Sequence, residues 1–372
     1  MKITKVEAIE LRLPESYLGP KLGVRHVLIV KVHTDEGITG IGEVDSCPSV
    51  IKATVDAPIS NRPVSGLGQL LIGMNPLDIG LLNDKMYQAS FYYGRRAVVI
   101  HAIGGIDIAL WDIAGKYYKQ PIYQLLGGAY QKKIRAYASI LFGKDGKETS
   151  EIGKKWVEQG FTAVKFGWDP MGQSEKLDLE LVEGARRGVG DKNDVLIDAG
   201  CCWDTITAIR RASQFEGYNI LWLEEPLAQD NIDGYKKLAS VSRIPIAAGE
   251  GDAGRFAWRD LIERGGIHIA QIDLARNGLT ETVRIADMAE DYGLRVVNHF
   301  WSTGINLAAG LHFLASRKTT FICEYCVDES PLRWEVTTQK MEIDKGGFVY
   351  VPEGPGLGVD LNEEKIERFR VR

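Results

Sequence analysis

Three acidic residues recur at equivalent places along the chain. Asp198, Glu224 and Glu250 each close a short apolar run, in Leu196-Ile197-Asp198-Ala199-Gly200, Trp222-Leu223-Glu224-Glu225-Pro226 and Ala248-Gly249-Glu250-Gly251-Asp252. Three carboxylates brought together without a cation repel one another, and burial makes each costlier to keep ionised. A hard divalent cation removes that cost, and all-oxygen ligation with room for water and substrate suits Mg²⁺ better than Zn²⁺. The next two runs end in Asp273, within Gln271-Ile272-Asp273, and His299, within Val297-Asn298-His299-Phe300. A carboxylate bonded to one imidazole nitrogen fixes the tautomer and makes the other nitrogen more basic, so this pair predicts a general-base dyad. Cys323-Glu324-Tyr325-Cys326 has the spacing of a redox or zinc motif, but no second Cys or His pair lies close by in sequence. Those thiols are expected to pack within a strand.

Positioning these residues requires a repeated scaffold. Between Lys133 and Tyr325 a short β-branched, apolar run alternates with an amphipathic helical stretch eight times. The runs are Ile134 to Ile140, Thr162 to Phe166, Val195 to Ala199, Ile220 to Glu224, Ile244 to Gly249, Ile269 to Asp273, Val296 to His299 and Phe321 to Glu324. Their spacing of roughly 25–30 residues is that of one βα unit. The sequence thus predicts an α/β protein built on a (β/α)8, TIM-like barrel, in which polar residues at the strand C-termini converge on one face. An open doubly wound sheet is the competitor, but no G-x-G-x-x-G follows the first strands. Helices are expected over 150–159, stopping at Gly160, and over 205–215 with Asp204 as N-cap. Gly127-Gly128 reads as a helix stop.

The flanks break this rhythm. Runs 3–11, 27–33 and 38–44 read as antiparallel strands with a hairpin at Asp35-Glu36-Gly37. Apolar residues recur at helical spacing over 96–116, and Pro121 is expected to begin a short helix. After residue 327 the chain reads as strand and turn, punctuated by Gly346-Gly347, Pro352 and Gly354-Pro355-Gly356. The predicted organisation is an N-terminal α+β capping domain over 1–120, a barrel over 121–327 and a segment over 328–372 that completes the cap.

Composition narrows the function classes. With 45% hydrophobic and 26% charged residues the 372-residue chain has enough core to exclude disorder and a fibrous role. A net charge of -5 without basic runs argues against nucleic acid as a partner and leaves a small molecule as the expected one. The N-terminus lacks the apolar core of a signal peptide, and nothing is read as approaching a membrane span of about 20 apolar residues. Five cysteines, an odd number, argue against a disulfide framework. A cytoplasmic location is expected.

Three further motifs complete the pattern: Gly105-Ile106-Asp107-Ile108-Ala109-Leu110-Trp111-Asp112, the stretch Pro121 to Gly128, and Gly354-Pro355-Gly356-Leu357-Gly358-Val359. With the ordered Asp, Glu, Glu, Asp, His and Glu strand ends, the chain resembles the enolase superfamily, and within it the mandelate racemase subgroup, over essentially its whole length. The resemblance implies Mg²⁺-dependent removal of the proton α to a carboxylate through an enediolate, a metal spreading the charge that forms. It implies Asp198, Glu224 and Glu250 as metal ligands with Glu225 beside them, and Asp273 and His299 as the dyad. Glu324 would be a protonated acid bonded to the substrate carboxylate, and Lys165 an electrostatic partner of that carboxylate. A symmetric homo-oligomer is also implied.

Two departures from the family pattern shape the expected reaction. In Val164-Lys165-Phe166-Gly167-Trp168, Gly167 stands where the racemase pattern has a second lysine base. With one base left, His299 can take the α-proton and then protonate a departing β-hydroxyl. That implies dehydration of a sugar acid, an aldonate or aldarate, to a 2-keto-3-deoxy acid. A cycloisomerase or epimerase of a sugar acid or lactone, and a barrel that binds a carboxylate without turnover, are the alternatives. The second departure is Gly200, where relatives often have Asn. Trp168 and Trp203 are candidate pocket walls, with ordinary packing as the other reading. Arg276 is similar in position to a basic residue that tunes the dyad. The family's N-terminal cap covers the pocket mouth, which makes loops 14–25 and 45–61 candidates for substrate contact, through Lys21, Arg25 and Lys52, with solvated surface as the alternative.

Overall fold

The computed structural model describes residues 1–15, 23–60 and 64–372. The N-terminal strands β1 (Ile3–Arg12), β2 (His26–Thr34) and β3 (Thr39–Val44) form an antiparallel sheet in the order β1-β2-β3, with Ile9 opposite Ile29 and Ile29 opposite Glu43. The expected hairpin joins β2 to β3. Leu28, Val30 and Val32 bury one face against the helix Val98–Tyr118. That helix lies directly on β3, because a Cβ at Gly40 or Gly42 would fall 2.0 Å from the carbonyl oxygens of Ala109 and Gly105.

The helix Val98–Tyr118 corrects one expectation. It is 21 residues long and by length and composition apolar enough to cross a membrane. Here it is a core helix, wrapped by the sheet, by the helix Ile79–Gly94 and by the helix Leu274–Asp291. Its buried acids explain the motif around it. Asp107 accepts hydrogen bonds from Asn83 Nδ2 (2.7 Å) and from Thr280 N (2.8 Å). Asp112 accepts from Ile41 N (2.9 Å), Lys116 Nζ (2.6 Å) and Leu357 N (2.9 Å), tying the N-terminal sheet to the C-terminal Gly354–Gly358 turn.

Eight parallel strands follow: β4 (Lys133–Leu141), β5 (Ala163–Gly167), β6 (Asp194–Asp198), β7 (Ile220–Glu224), β8 (Ile246–Ala248), β9 (Ile269–Asp273), β10 (Arg295–His299) and β11 (Cys323–Cys326). Each of β4 to β9 pairs with the next, and β11 returns to pair with β4. Across the remaining seam an isolated bridge joins Val296 to Thr320, and the Asn298 amide oxygen accepts from Glu324 N at 2.9 Å. The sheet therefore curls on itself, consistent with the expected TIM-like barrel. All five residues of β5 and of β9 are buried, as strands covered on both faces require. Among the connecting helices, Thr205–Phe215 is capped by Asp204, whose carboxylate accepts from Thr207 N. Strand β8 is shorter than the run 244–249 suggests, because Gly249 at φ +121° leaves the ladder.

After β11 the expectation of strand and turn alone is incomplete. Strand β12 (Phe348–Tyr350) pairs antiparallel with β4, but Pro331–Glu335 and Glu363–Phe369 are short helices. Pro331 opens the first, and the second is capped by Asn362 with Glu363 and Glu364 in its first turn. Similarly, Pro121 caps the short helix Ile122–Leu125 and is not its first residue. The tail reaches back to the N-terminal sheet through Lys31 and Glu363 (2.7 Å) and a bridge between Leu11 and Arg370. On the other side, Glu43 of β3 is fully buried and accepts from Thr303 N (2.9 Å), Thr303 Oγ1 (2.7 Å) and Asn306 N (3.0 Å) at the start of the helix Gly304–Ala315. This pins the sheet against the segment that follows β10.

Candidate active site

The strand ends deliver the acids to one place. Asp198 ends β6, Glu224 ends β7 and Glu250 follows the Gly249 turn after β8. One oxygen from each lies within 4.8 Å of the others, and all three side chains are buried. Asp198 Oδ1 accepts from Gly200 N (2.8 Å), and Glu224 Oε2 accepts from Trp222 Nε1 (2.9 Å). Burial and then the Glu224 carboxylate lift Asp198 well above the carboxylate range. Burial lifts Glu224 against the opposing charge of Lys165, and brings Glu250 to about 7 against that of His299. Lys165 bonds to Glu224 (2.5 Å) and Glu324 (2.7 Å), so no lysine or arginine ion-pairs with Asp198 or Glu250 among the described residues. An all-carboxylate set short of positive charge fits a divalent cation of the Mg²⁺ type.

Beside this triad, β9 and β10 pair with His299 level with Asp273. His299 Nδ1 donates to Asp273 Oδ2 at 2.5 Å, and Asp273 Oδ1 accepts from Ala275 N (2.7 Å) and Asn306 Nδ2 (3.3 Å). Nε2 is thereby left as the ring's free position, 3.3 Å from Glu250 Oε2. Burial alone would lower this imidazole, but Glu250, Glu324 and Asp273 outweigh it and raise His299 to about 10.

Glu324 is surrounded by hydrogen-bond partners: Lys165 Nζ (2.7 Å), Ser139 Oγ (2.7 Å) and Phe300 N (2.7 Å). Trp301 Nε1 donates to Ser139 Oγ (3.1 Å), which leaves the serine proton to point at Glu324. Burial raises Glu324, yet Lys165 and His299 overcome it and hold the group below its ordinary value.

Arg276 donates from Nη2 to Asp45 Oδ2 (3.0 Å) and from Nη1 to the Glu250 carbonyl (2.5 Å), and its Nε lies 3.8 Å from Asp273. Glu225, at φ +35°, accepts from Gly249 N and from the Cys201 thiol, both at 3.3 Å, and so buttresses the turn that presents Glu250. A cavity of about 310 Å³ opens over these groups, lined by Asp198, Glu250, Arg276 and His299 with Gly23, Asp45, Leu141, Trp168 and Trp301.

Not every candidate reaches it. Trp203 is buried against Phe215 and packs in the core. Lys52 reaches from the helix Pro48–Asp56 to Asp56 and to the Ala8 carbonyl of β1 and does not line the cavity. Arg25 is exposed, and among the described residues of its segment Gly23 lines the cavity. Lys21 lies outside the described residues. Cys323 and Cys326 are buried free thiols in β11, as expected of packing residues. Sequence reasoning missed Asp45, Ser139 and Trp301. The partner of Asp45 is 231 residues away in sequence, and neither Ser139 nor Trp301 sits in a pattern that marks chemistry.

A buried acidic triad and an Asp–His dyad at the strand ends of such a sheet are groups suited to metal binding and proton transfer. Comparison with known proteins agrees. Residues 11–127 match the family described as "Mandelate racemase / muconate lactonizing enzyme, N-terminal domain", and residues 148–365 match "Enolase C-terminal domain-like". The chain is 32% identical to D-galactarolactone cycloisomerase of Agrobacterium fabrum, over 100% of this chain and 99% of that one. It is 33% identical to D-xylonate dehydratase of Haloferax volcanii, over 92% of this chain and 85% of that one. The crystal structure of the 3,6-anhydro-D-galactonate cycloisomerase from Zobellia galactanivorans matches with a TM-score of 0.90 at 31% identity, over 100% of both chains. The protein belongs to the mandelate racemase and muconate lactonizing enzyme family of the enolase superfamily, and is an enzyme of that superfamily.

Proposed function

We propose that the protein is a Mg²⁺-dependent dehydratase that converts a sugar acid, an aldonate or aldarate, to its 2-keto-3-deoxy acid. The observation that carries this reading is the single dyad base. His299 with Asp273 faces the cavity, while at Gly167 a Cβ would come within 2.9 Å of Asp198 Oδ2, so a side chain there requires that carboxylate to move. With glycine at position 167 a two-base racemisation lacks the base that the family pattern places there, whereas one imidazole suffices for elimination.

In this reading Asp198, Glu224 and Glu250 hold the cation, which when bound neutralises the charge that develops on the substrate carboxylate. Asp273 orients His299, whose Nε2 takes the α-proton and returns it to the β-hydroxyl as that group leaves as water. Lys165 adds positive charge beside the substrate carboxylate, and Glu324 with Ser139 holds Lys165 in place. Residues 1–120 and 328–372 form the cap over the barrel at 121–327. Relatives named as dehydratases of D-xylonate and D-galactonate support the sugar-acid class. The cycloisomerase reading shares the first step and draws support from the relatives named as cycloisomerases.

The test is incubation with Mg²⁺ and a panel of aldonates, aldarates and their lactones, with semicarbazide detection of 2-keto acids. An aldonate or aldarate that yields keto acid, with kcat about 10²- to 10⁴-fold lower in His299→Asn, is expected. Keto acid from lactones alone would replace dehydration by cycloisomerisation.

A further inference from the structure

The cavity has two unlike sides. Glu250, Arg276 and His299 stand on the side built by the segments after β8, β9 and β10, whereas the ends of β4 and β5 contribute Leu141 and Trp168. Trp168 is the unusual member. Its φ is +64°, a region that bulky side chains rarely enter, and such strain clusters at functional sites. The backbone is held there by Trp168 N donating to the Asp198 carbonyl (3.2 Å) and Met171 N donating to the Trp168 carbonyl (3.0 Å).

Its two neighbours explain how the indole fits. A Cβ at Gly200 would lie 3.2 Å from the Trp168 ring, and a Cβ at Gly167 would press on Asp198. Of the two departures noted in the sequence, Gly200 thus leaves the space against the indole open, while Gly167 leaves room for the Asp198 carboxylate. Yet 53% of the Trp168 surface stays exposed beside the cavity. A large apolar ring held out in a strained conformation next to a reacting centre gains its burial only when something lies against it.

We propose that Trp168, with Leu141, is a positioning residue that closes the β4–β5 side of the bound substrate to water, so that protons reach the reacting carbons only from the side of His299. The inference rests on the dehydratase reading above. In that reaction the α C–H bond breaks and its proton passes to His299. The β C–O bond breaks and hydroxide leaves with that proton as water. The resulting enol gives up its O–H proton while the β-carbon gains one, so no net proton is consumed. The wall confines this last protonation to one face.

Turnover of a productive aldonate in D₂O, followed by ¹H NMR of the 2-keto-3-deoxy product, reads the facial selectivity at C3. The wild type should place deuterium at one of the two C3 positions. Trp168→Ala should lose that selectivity by about tenfold or more, and the flat ring of Trp168→Phe should restore it. Equal labelling by the wild type, or unchanged selectivity in Trp168→Ala, overturns the proposal. If no keto acid forms but the α-hydrogen exchanges, the dehydratase reading fails by itself. The wall is then judged by whether exchange keeps the α-configuration in the wild type and loses it in Trp168→Ala. A measurement free of turnover completes the set. With Mg²⁺ present and His299→Asn as the background, D-xylonate at a concentration that raises Tm should shield Trp168 from acrylamide quenching, read as the difference between that variant and the double variant that adds Trp168→Phe. Unchanged quenching under that condition overturns the proposal.

Discussion

Asp45, just past the end of β3, and Arg276, three residues beyond Asp273, form an ion pair 3.0 Å long that joins the N-terminal sheet to the face carrying the dyad. The same guanidinium donates to the Glu250 carbonyl and lies 3.8 Å from Asp273. Arg276 thus reads the position of the sheet and transmits it to two groups of the site. Arg276 and Asp45 each retain a partly exposed edge at the cavity. Asp45→Asn should lower kcat/KM by about 10- to 100-fold through misplacement of Arg276, while stability changes by no more than about 1 kcal/mol. Steady-state kinetics beside urea denaturation decides, and wild-type kcat/KM in this variant would show that the pair does not position the dyad.

Lys165 is the only ammonium bonded to Glu224 and Glu324 among the described residues, and all three side chains are buried. Removing one charge from such a cluster leaves the others uncompensated, which costs about 3–5 kcal/mol. Lys165→Met should therefore lose stability as well as activity. Adding Glu324→Gln should recover part of the stability but none of the activity. Urea midpoints for the single and double variants test this, and a Lys165→Met protein as stable as the wild type would contradict the burial argument.

The triad of Asp198, Glu224 and Glu250 crowds like charges, so a cation that binds only the folded chain must stabilise it. Treatment with EDTA should abolish turnover, and Mg²⁺ should restore it. Raising Mg²⁺ to about 100 times its Kd should add about 2.7 kcal/mol. A thermal midpoint that ignores Mg²⁺ in the wild type would remove the metal from the proposal.

His312 offers a test of pH-dependent stability far from the triad. Its Nε2 donates to the Leu357 carbonyl (3.1 Å), and its Nδ1 accepts from Tyr123 N (3.4 Å), which commits the ring to a neutral tautomer. Burial, only partly opposed by the Leu357 bond, lowers it from 6.5 to about 4. Below about pH 6.5 the unfolded chain binds more protons than the folded one. This contribution is therefore complete above that value and is lost as pH falls towards 4. Between about pH 7.5 and about pH 5 the loss amounts to about 2 kcal/mol. Denaturant unfolding at both values should show a shallower pH slope for His312→Gln, and identical slopes would refute the assignment.

The eight-strand ladder was legible in the sequence because strands covered on both faces must be continuously apolar, and because each needs a crossover helix of similar length. The acids were legible for the same reason: Asp198, Glu224, Asp273 and His299 each interrupt an apolar run at its end, where a polar group can face a cavity. The two C-terminal helices were not, since five and seven residues give too little periodicity and their caps are short-range signals amid turn residues. The membrane-length apolarity of Val98–Tyr118 was likewise passed over, because its scattered Asp107 and Asp112 look like breaks until their buried partners are seen.

By itself, then, the sequence determined the order of the elements and the chemical type of the groups at the strand ends, since both follow from local patterning. Only the tertiary structure decided the ring of donors around Glu324, the reach of Asp45 to Arg276 and the presentation of Trp168. Each of these depends on groups brought together from distant parts of the chain, and spacing along a sequence carries no record of which oxygen will meet which nitrogen.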